Sequence, residues 1–163
     1  LEAVAACAPR PRLLVLASSR SVYGEGAYRD AAGTLVQPAP RSRAQLEAGA
    51  WEPTGPDGAA LTPVATPEAL PYRPGSIYAA TKAAQELLVQ SASDALGLRT
   101  AILLFQNVYG EGQSLQNPYT GIISIFFNRA RQGLDLPLYE DGRESRDFVH
   151  VDDAVSALVA CLQ

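Results

Sequence analysis

The feature that most constrains this chain is a short apolar run, a long helical stretch and a second short apolar run, in that order. Leu13-Leu14-Val15-Leu16-Ala17 follows Pro11. It is continuous rather than alternating, as expected of a parallel strand covered on both faces. Ile77–Leu96 repeats Ala79, Ala80, Ala83, Ala84, Leu87, Leu88 and Ala92 at helical spacing. Pro74 and Ser76 suit its start, and Gly97 suits its end. Thr100–Phe105, within Arg99 to Gln106, reads as a second buried strand. Strands alternating with helices predict an α/β fold with a mostly parallel sheet.

The flanks follow the same logic. Leu1–Ala8 reads as a helix tail and Tyr119–Gln132 as a helix closed by Gly133. Leu136–Tyr139 and Asp147–Val151 read as short strands, with a turn at Asp141-Gly142. A last helix covers Ala154–Leu162, with Asp152 and Asp153 near its amino end, where carboxylates are favoured. Residues 24–74 differ: they hold most of the prolines, many glycines and little periodicity. They predict a long surface insertion, with one short helix at Ser42–Ala48 and the only tryptophan, Trp51.

Composition excludes several classes. The chain is 47% hydrophobic and 18% charged, enough apolar material for one core. A formal net charge of −4 argues against nucleic acid, whose phosphates want a basic face. The longest apolar runs are too short to cross a bilayer, and no signal peptide is recognisable at the amino end. Cys7 and Cys161 have no ligand-like spacing, so idle thiols in a reducing cytoplasm are expected, with no metal site. The absence of methionine predicts an internal fragment of a longer protein.

One local pattern carries chemistry. Lys82 is the only lysine among 13 basic residues, and it follows Tyr78 by four positions within the predicted helix. Residues i and i+4 share a helix face, about 6 Å apart along the axis. A compact ammonium there favours the ionised form of a phenol, whose reference pKa is about 10. That arrangement can make a tyrosine a usable base. Ser18, Ser19 and Ser21 follow the first strand's carboxyl end, where ligands of open α/β sheets bind. Serine is also an ordinary turn residue.

In order along the chain come Leu16-Ala17-Ser18-Ser19-Arg20-Ser21-Val22-Tyr23-Gly24, Tyr78-x-x-x-Lys82, Asn107-Val108-Tyr109-Gly110, and Gly142-x-x-x-Arg146-Asp147-Phe148-Val149-His150-Val151-Asp152-Asp153. Together they resemble the extended short-chain dehydrogenase/reductase family, in its nucleotide-sugar epimerase/dehydratase branch. The resemblance covers nearly the whole chain. It implies a Rossmann-type, doubly wound sheet. Residues 1–163 would supply the carboxyl-terminal half of an NAD-binding domain, and residues 111–146 would begin the substrate-binding part. The glycine-rich cofactor loop would lie upstream of Leu1.

The same resemblance implies roles. Tyr78 would be the base. Lys82 would hold the nicotinamide ribose and lower the tyrosine pKa, and Ser19 would be the catalytic hydroxyl. Ala17, Ser18 and Phe105 would join Tyr78 and Lys82 around NAD. Asn107 and Arg146 would join Ser19 in binding a nucleotide-diphosphate sugar, the arginine fork suiting phosphate oxygens. A surface ion pair with Glu144 or Asp147 is the other reading of Arg146. A homodimer through the Tyr-x-x-x-Lys helix is a family habit.

Dehydratases of this branch carry two acids after the serine, and Arg20 and Ser21 stand there instead. That favours 4-epimerisation over loss of water. The segments 41–53 and 117–122 resemble the dTDP-L-rhamnose 4-epimerase type, without the Cys-x-x-Cys pair that some of its members carry near Thr54–Gly58. Leu104 and Glu111 replace the family's usual arginine and proline. A reductase, dehydratase or decarboxylase of a nucleotide sugar, or a non-catalytic binding module, remain the alternatives.

Overall fold

A computed structural model describes residues 1–114 and 121–163. In chain order the elements are α1 (Glu2–Ala6), β1 (Leu13–Ser19), a 3-10 turn (Arg20–Tyr23), β2 (Tyr28–Arg29), β3 (Leu35–Val36), α2 (Arg43–Glu47), β4 (Thr62–Pro63), α3 (Ile77–Leu96), β5 (Arg99–Phe105), β6 (Asn107–Tyr109), α4 (Ile122–Arg131), β7 (Phe148–His150) and α5 (Val151–Ala160). The chain divides into two compact units, Leu1–Ser19 with Glu86–Gln163, and Arg20–Gln85. The helix α3 begins in the second and ends in the first.

The first unit is built on parallel pairs. β1 runs parallel to β5, in register from Leu13 opposite Arg99 to Ser19 opposite Phe105. β6 runs parallel to β7, from Asn107 opposite Phe148 to Tyr109 opposite His150. This is the expected α/β class. The two apolar strands are less buried than their composition suggests: in β1 only Ser18 is fully buried, and β5 is half-buried after an exposed Arg99. Each pairs with the other alone among the described residues.

The helix ends follow from their residues. The Ser76 hydroxyl accepts from the Ala79 N–H at 3.1 Å and starts α3. Gly97, at φ +63°, ends it, and the Leu98 N–H closes back on the Ser93 carbonyl at 3.0 Å. His150 caps α5 through Nδ1, which accepts from the Asp152 N–H. Of the expected α4 helix, Tyr119 and Thr120 lie outside the described residues.

Two expectations are corrected. Leu136–Tyr139 is not a strand; its only regular feature is the turn that follows, where the Gly142 N–H bonds the Tyr139 carbonyl. With Leu138 and Tyr139 largely exposed, no packed face selects an extended ladder there. The buried face of α3 is also rotated from the expected one. Ala79, Ala83, Glu86 and Val89 are buried, while Leu87 and Leu88 are exposed.

The second unit contains the whole of the expected insertion, and it has an interior. β2 is the central strand of a small antiparallel sheet, with β3 on one side and β4 on the other. Val22, Tyr23, Ala27, Leu61 and Leu70 are buried. Gly24, at φ +62°, lies so close to the Arg73 carbonyl that a Cβ would come within 2.4 Å of its oxygen. The Arg73 N–H in turn bonds the Val22 carbonyl at 2.8 Å. A cavity of about 910 Å³ opens in this unit, lined by Pro38, Pro40, Pro53 and Pro56 together with Asp30 and Arg73.

Candidate active site

Local structure places the chemistry-bearing residues at element ends. Ser19 closes β1, and Phe105, its register partner, closes β5. Both therefore stand at the carboxyl edge of the parallel pair, with Ala17 exposed two residues earlier. Ser18 points into the interior, where its hydroxyl donates to a Glu86 carboxyl oxygen. What Ser18 can offer a cofactor is thus its backbone.

Tyr78 and Lys82 lie one turn apart at the start of α3, in the other unit. Tyr78 is 56% exposed and Lys82 half-buried, so a ligand can reach both. The Tyr78 carbonyl accepts from the Thr81 hydroxyl at 2.7 Å, and Lys82 Nζ donates to Gln85 Oε1 at 3.5 Å. A phenol and an ammonium on one accessible helix face form a donor set suited to a ribose diol or a sugar hydroxyl.

The β6–β7 pair sets Asn107 beside the segment that carries Arg146. The Asn107 side chain donates to the Asp147 carbonyl at 3.0 Å, and its backbone N–H reaches the same oxygen at 3.2 Å. Arg146 immediately precedes that residue. Its guanidinium pairs with Glu144 at 3.0 Å and donates to the Ser145 carbonyl at 2.8 Å. The ion pair weighed from the sequence is therefore present. Nearby, the Tyr109 ring meets His150 edge-on, with centroids 5.3 Å apart, and Phe148 at 6.3 Å.

Sequence reasoning missed Glu86. It is fully buried, four residues after Lys82, on a face where the helical pattern calls for an apolar side chain. A lone acid interrupting an alanine-rich stripe was the available signal.

Residues 46–163 match the NAD dependent epimerase/dehydratase family. The chain belongs to that family. It is 49% identical over 149 residues to a dTDP-L-rhamnose 4-epimerase of Burkholderia thailandensis, covering 91% of this chain and 40% of that protein. Among solved structures, the UDP-N-acetylglucosamine 4-epimerase of Methanobrevibacter ruminantium, in complex with UDP-N-acetylmuramic acid, matches with a TM-score of 0.66 at 25% identity. That match covers 93% of this chain and 38% of the other. The UDP-glucose 4-epimerase of Thermus thermophilus, in complex with NAD, matches with a TM-score of 0.62 at 28% identity, covering 93% and 39%. The chain thus spans about two-fifths of the length of the relatives it matches. These neighbours confirm the Rossmann-type α/β fold and the NAD-dependent family.

Proposed function

We propose that the full-length protein containing this chain is an NAD-dependent nucleotide-sugar 4-epimerase acting on a dTDP- or UDP-hexose. The observation that carries the reading is the accessible Tyr78/Lys82 pair, one turn apart on one face of α3. Tyr78 takes the proton of the C4 hydroxyl and later returns it. Lys82 binds the ribose of the cofactor, its ammonium donating to the ribose hydroxyls. Ser19, at the carboxyl end of β1, holds the same sugar hydroxyl. NAD, when bound, supplies the hydride acceptor for C4. Ala17, the Ser18 backbone and Phe105 contribute to its site.

Arg146 binds the diphosphate by exchanging the Glu144 carboxylate for phosphate oxygens, with Asn107 beside it. Inversion at C4 needs only that the sugar present its other face before proton and hydride return. No acid stands at Arg20 or Ser21 to expel water, which supports epimerisation over dehydration. The protein works in the cytoplasm and forms a homodimer. The exposed Leu87 and Leu88 on α3 support the dimer, and sedimentation of the full-length protein at twice the monomer mass checks it.

The test is conversion of dTDP- and UDP-hexoses to their C4 epimers by the full-length protein, followed by NMR. Tyr78→Phe should slow turnover by about 10²–10⁴-fold with the fold intact, the range of general acid–base catalysis. Net consumption of NADPH would replace the reading with a reductase. Undiminished activity in Tyr78→Phe would end it.

A further inference from the structure

The most deeply buried large side chain among the described residues is an acid. Glu86 is 0% exposed and lies on the same face of α3 as Ala79, Ala83 and Val89. A carboxyl group in such a place is costly unless it is held by hydrogen bonds. One of its partners is known: the Ser18 hydroxyl, itself 5% exposed, donates to Oε1 across 68 residues of sequence. A leucine would fill this position of an apolar helix face without that cost. The acid therefore does something an apolar residue does not.

We infer that Glu86 is a positioning residue: its buried carboxyl holds Ser18 and so fixes the carboxyl end of β1, where Ser19 stands. The strand geometry makes this effective. Successive side chains of a strand point to opposite faces. Anchoring Ser18 on the interior side turns Ser19 to the other face. The ladder alone restrains this end weakly, because Ser19 opposite Phe105 is the last pair in the β1–β5 register and a 3-10 turn follows at once. The anchor lies on the helix that also carries Tyr78 and Lys82. The catalytic part of this inference rests on the epimerase reading; the structural part does not.

The test uses the full-length protein with Glu86→Leu and Glu86→Gln. Glu86→Leu takes the acceptor from the buried Ser18 hydroxyl, so its Tm should fall modestly with the fold kept. Turnover per folded molecule should fall by about 10²-fold with KM little changed, as expected for a misplaced catalytic group. Glu86→Gln, which keeps an acceptor oxygen for Ser18, should recover most of that loss. Amide exchange over residues 17–19 should rise roughly tenfold in Glu86→Leu while the rest of β1 stays protected. A fall in Tm with unchanged turnover per folded molecule would overturn the inference in favour of a purely structural role. Unchanged exchange at 17–19 would overturn it as well. If the wild type converts no nucleotide sugar, the epimerase reading fails, and the exchange measurement still decides whether Glu86 holds the strand.

Discussion

The strand pair β1–β5 and the unit Arg20–Gln85 invert what their sequences suggest. β1 and β5 read as core, yet most of their apolar side chains are only half-buried. The proline-rich stretch reads as surface, yet with its edges it buries Val22, Tyr23, Ala27, Leu61 and Leu70. The two regions solve the backbone problem differently. In β1–β5 a seven-residue parallel ladder pairs the main chain on the facing side of each strand. In the other unit the strands are two residues long, and turns and side chains do the rest. Asp30 Oδ1 accepts from the N–H groups of Ala32 and Thr34, at 3.0 and 2.8 Å. Gln37 reaches the carbonyls of Tyr23 and Pro71, and Arg73 those of Gln37 and Pro38. Low periodicity shows that no long helix or strand is present. It does not show that a segment lacks an interior.

A matched pair of substitutions presses on this inversion. Leu61→Ala, inside the proline-rich unit, should cost about 3 kcal/mol, as for a buried leucine. Leu14→Ala, in the strand that reads as core, should cost only about 1 kcal/mol, in proportion to its partial burial. Denaturant titration of each variant measures both. Equal costs, or the reverse order, would mean that β1 is covered in the full-length protein and that the contrast belongs to this segment alone.

Much of the first unit was legible. The bounds of α3 follow from Ser76 and Gly97, and the last helix from the acids beside His150, because caps act within a few residues and need no tertiary context. β1 and β5 were legible as strands from their apolar runs, but not in their burial, which depends on what packs against them. Leu136–Tyr139 failed for the same reason: a four-residue apolar pattern is a strand only if a partner pairs with it. On α3 the apolar pattern of the sequence runs through Leu87 and Leu88. The real one runs through Glu86, whose burial depends on Ser18, far away in sequence. The candidate site was legible as residue types at element ends. The tie between Glu86 and Ser18 was not, because no spacing rule links positions so far apart.

The smallest expected effect tests what holds the proline-rich unit together. Tyr23 is buried, its hydroxyl donates to the Glu68 carbonyl at 2.9 Å, and its ring meets Tyr72 edge-on with centroids 5.7 Å apart. Tyr23→Phe keeps the ring and removes only the hydroxyl, so it should cost about 1 kcal/mol, the usual net worth of one hydrogen bond. Tyr23→Leu also removes the aromatic pair, worth a further ~1 kcal/mol, together with part of the packing. If Phe costs nothing in denaturant titration, ring packing alone holds residues 68–72 against the 3-10 turn, and this unit resembles an ordinary hydrophobic core. If Phe costs as much as Leu, the side-chain-to-backbone bond dominates. The unit would then be a lattice of such bonds around a small interior, which is how a segment with two-residue strands can hold one shape.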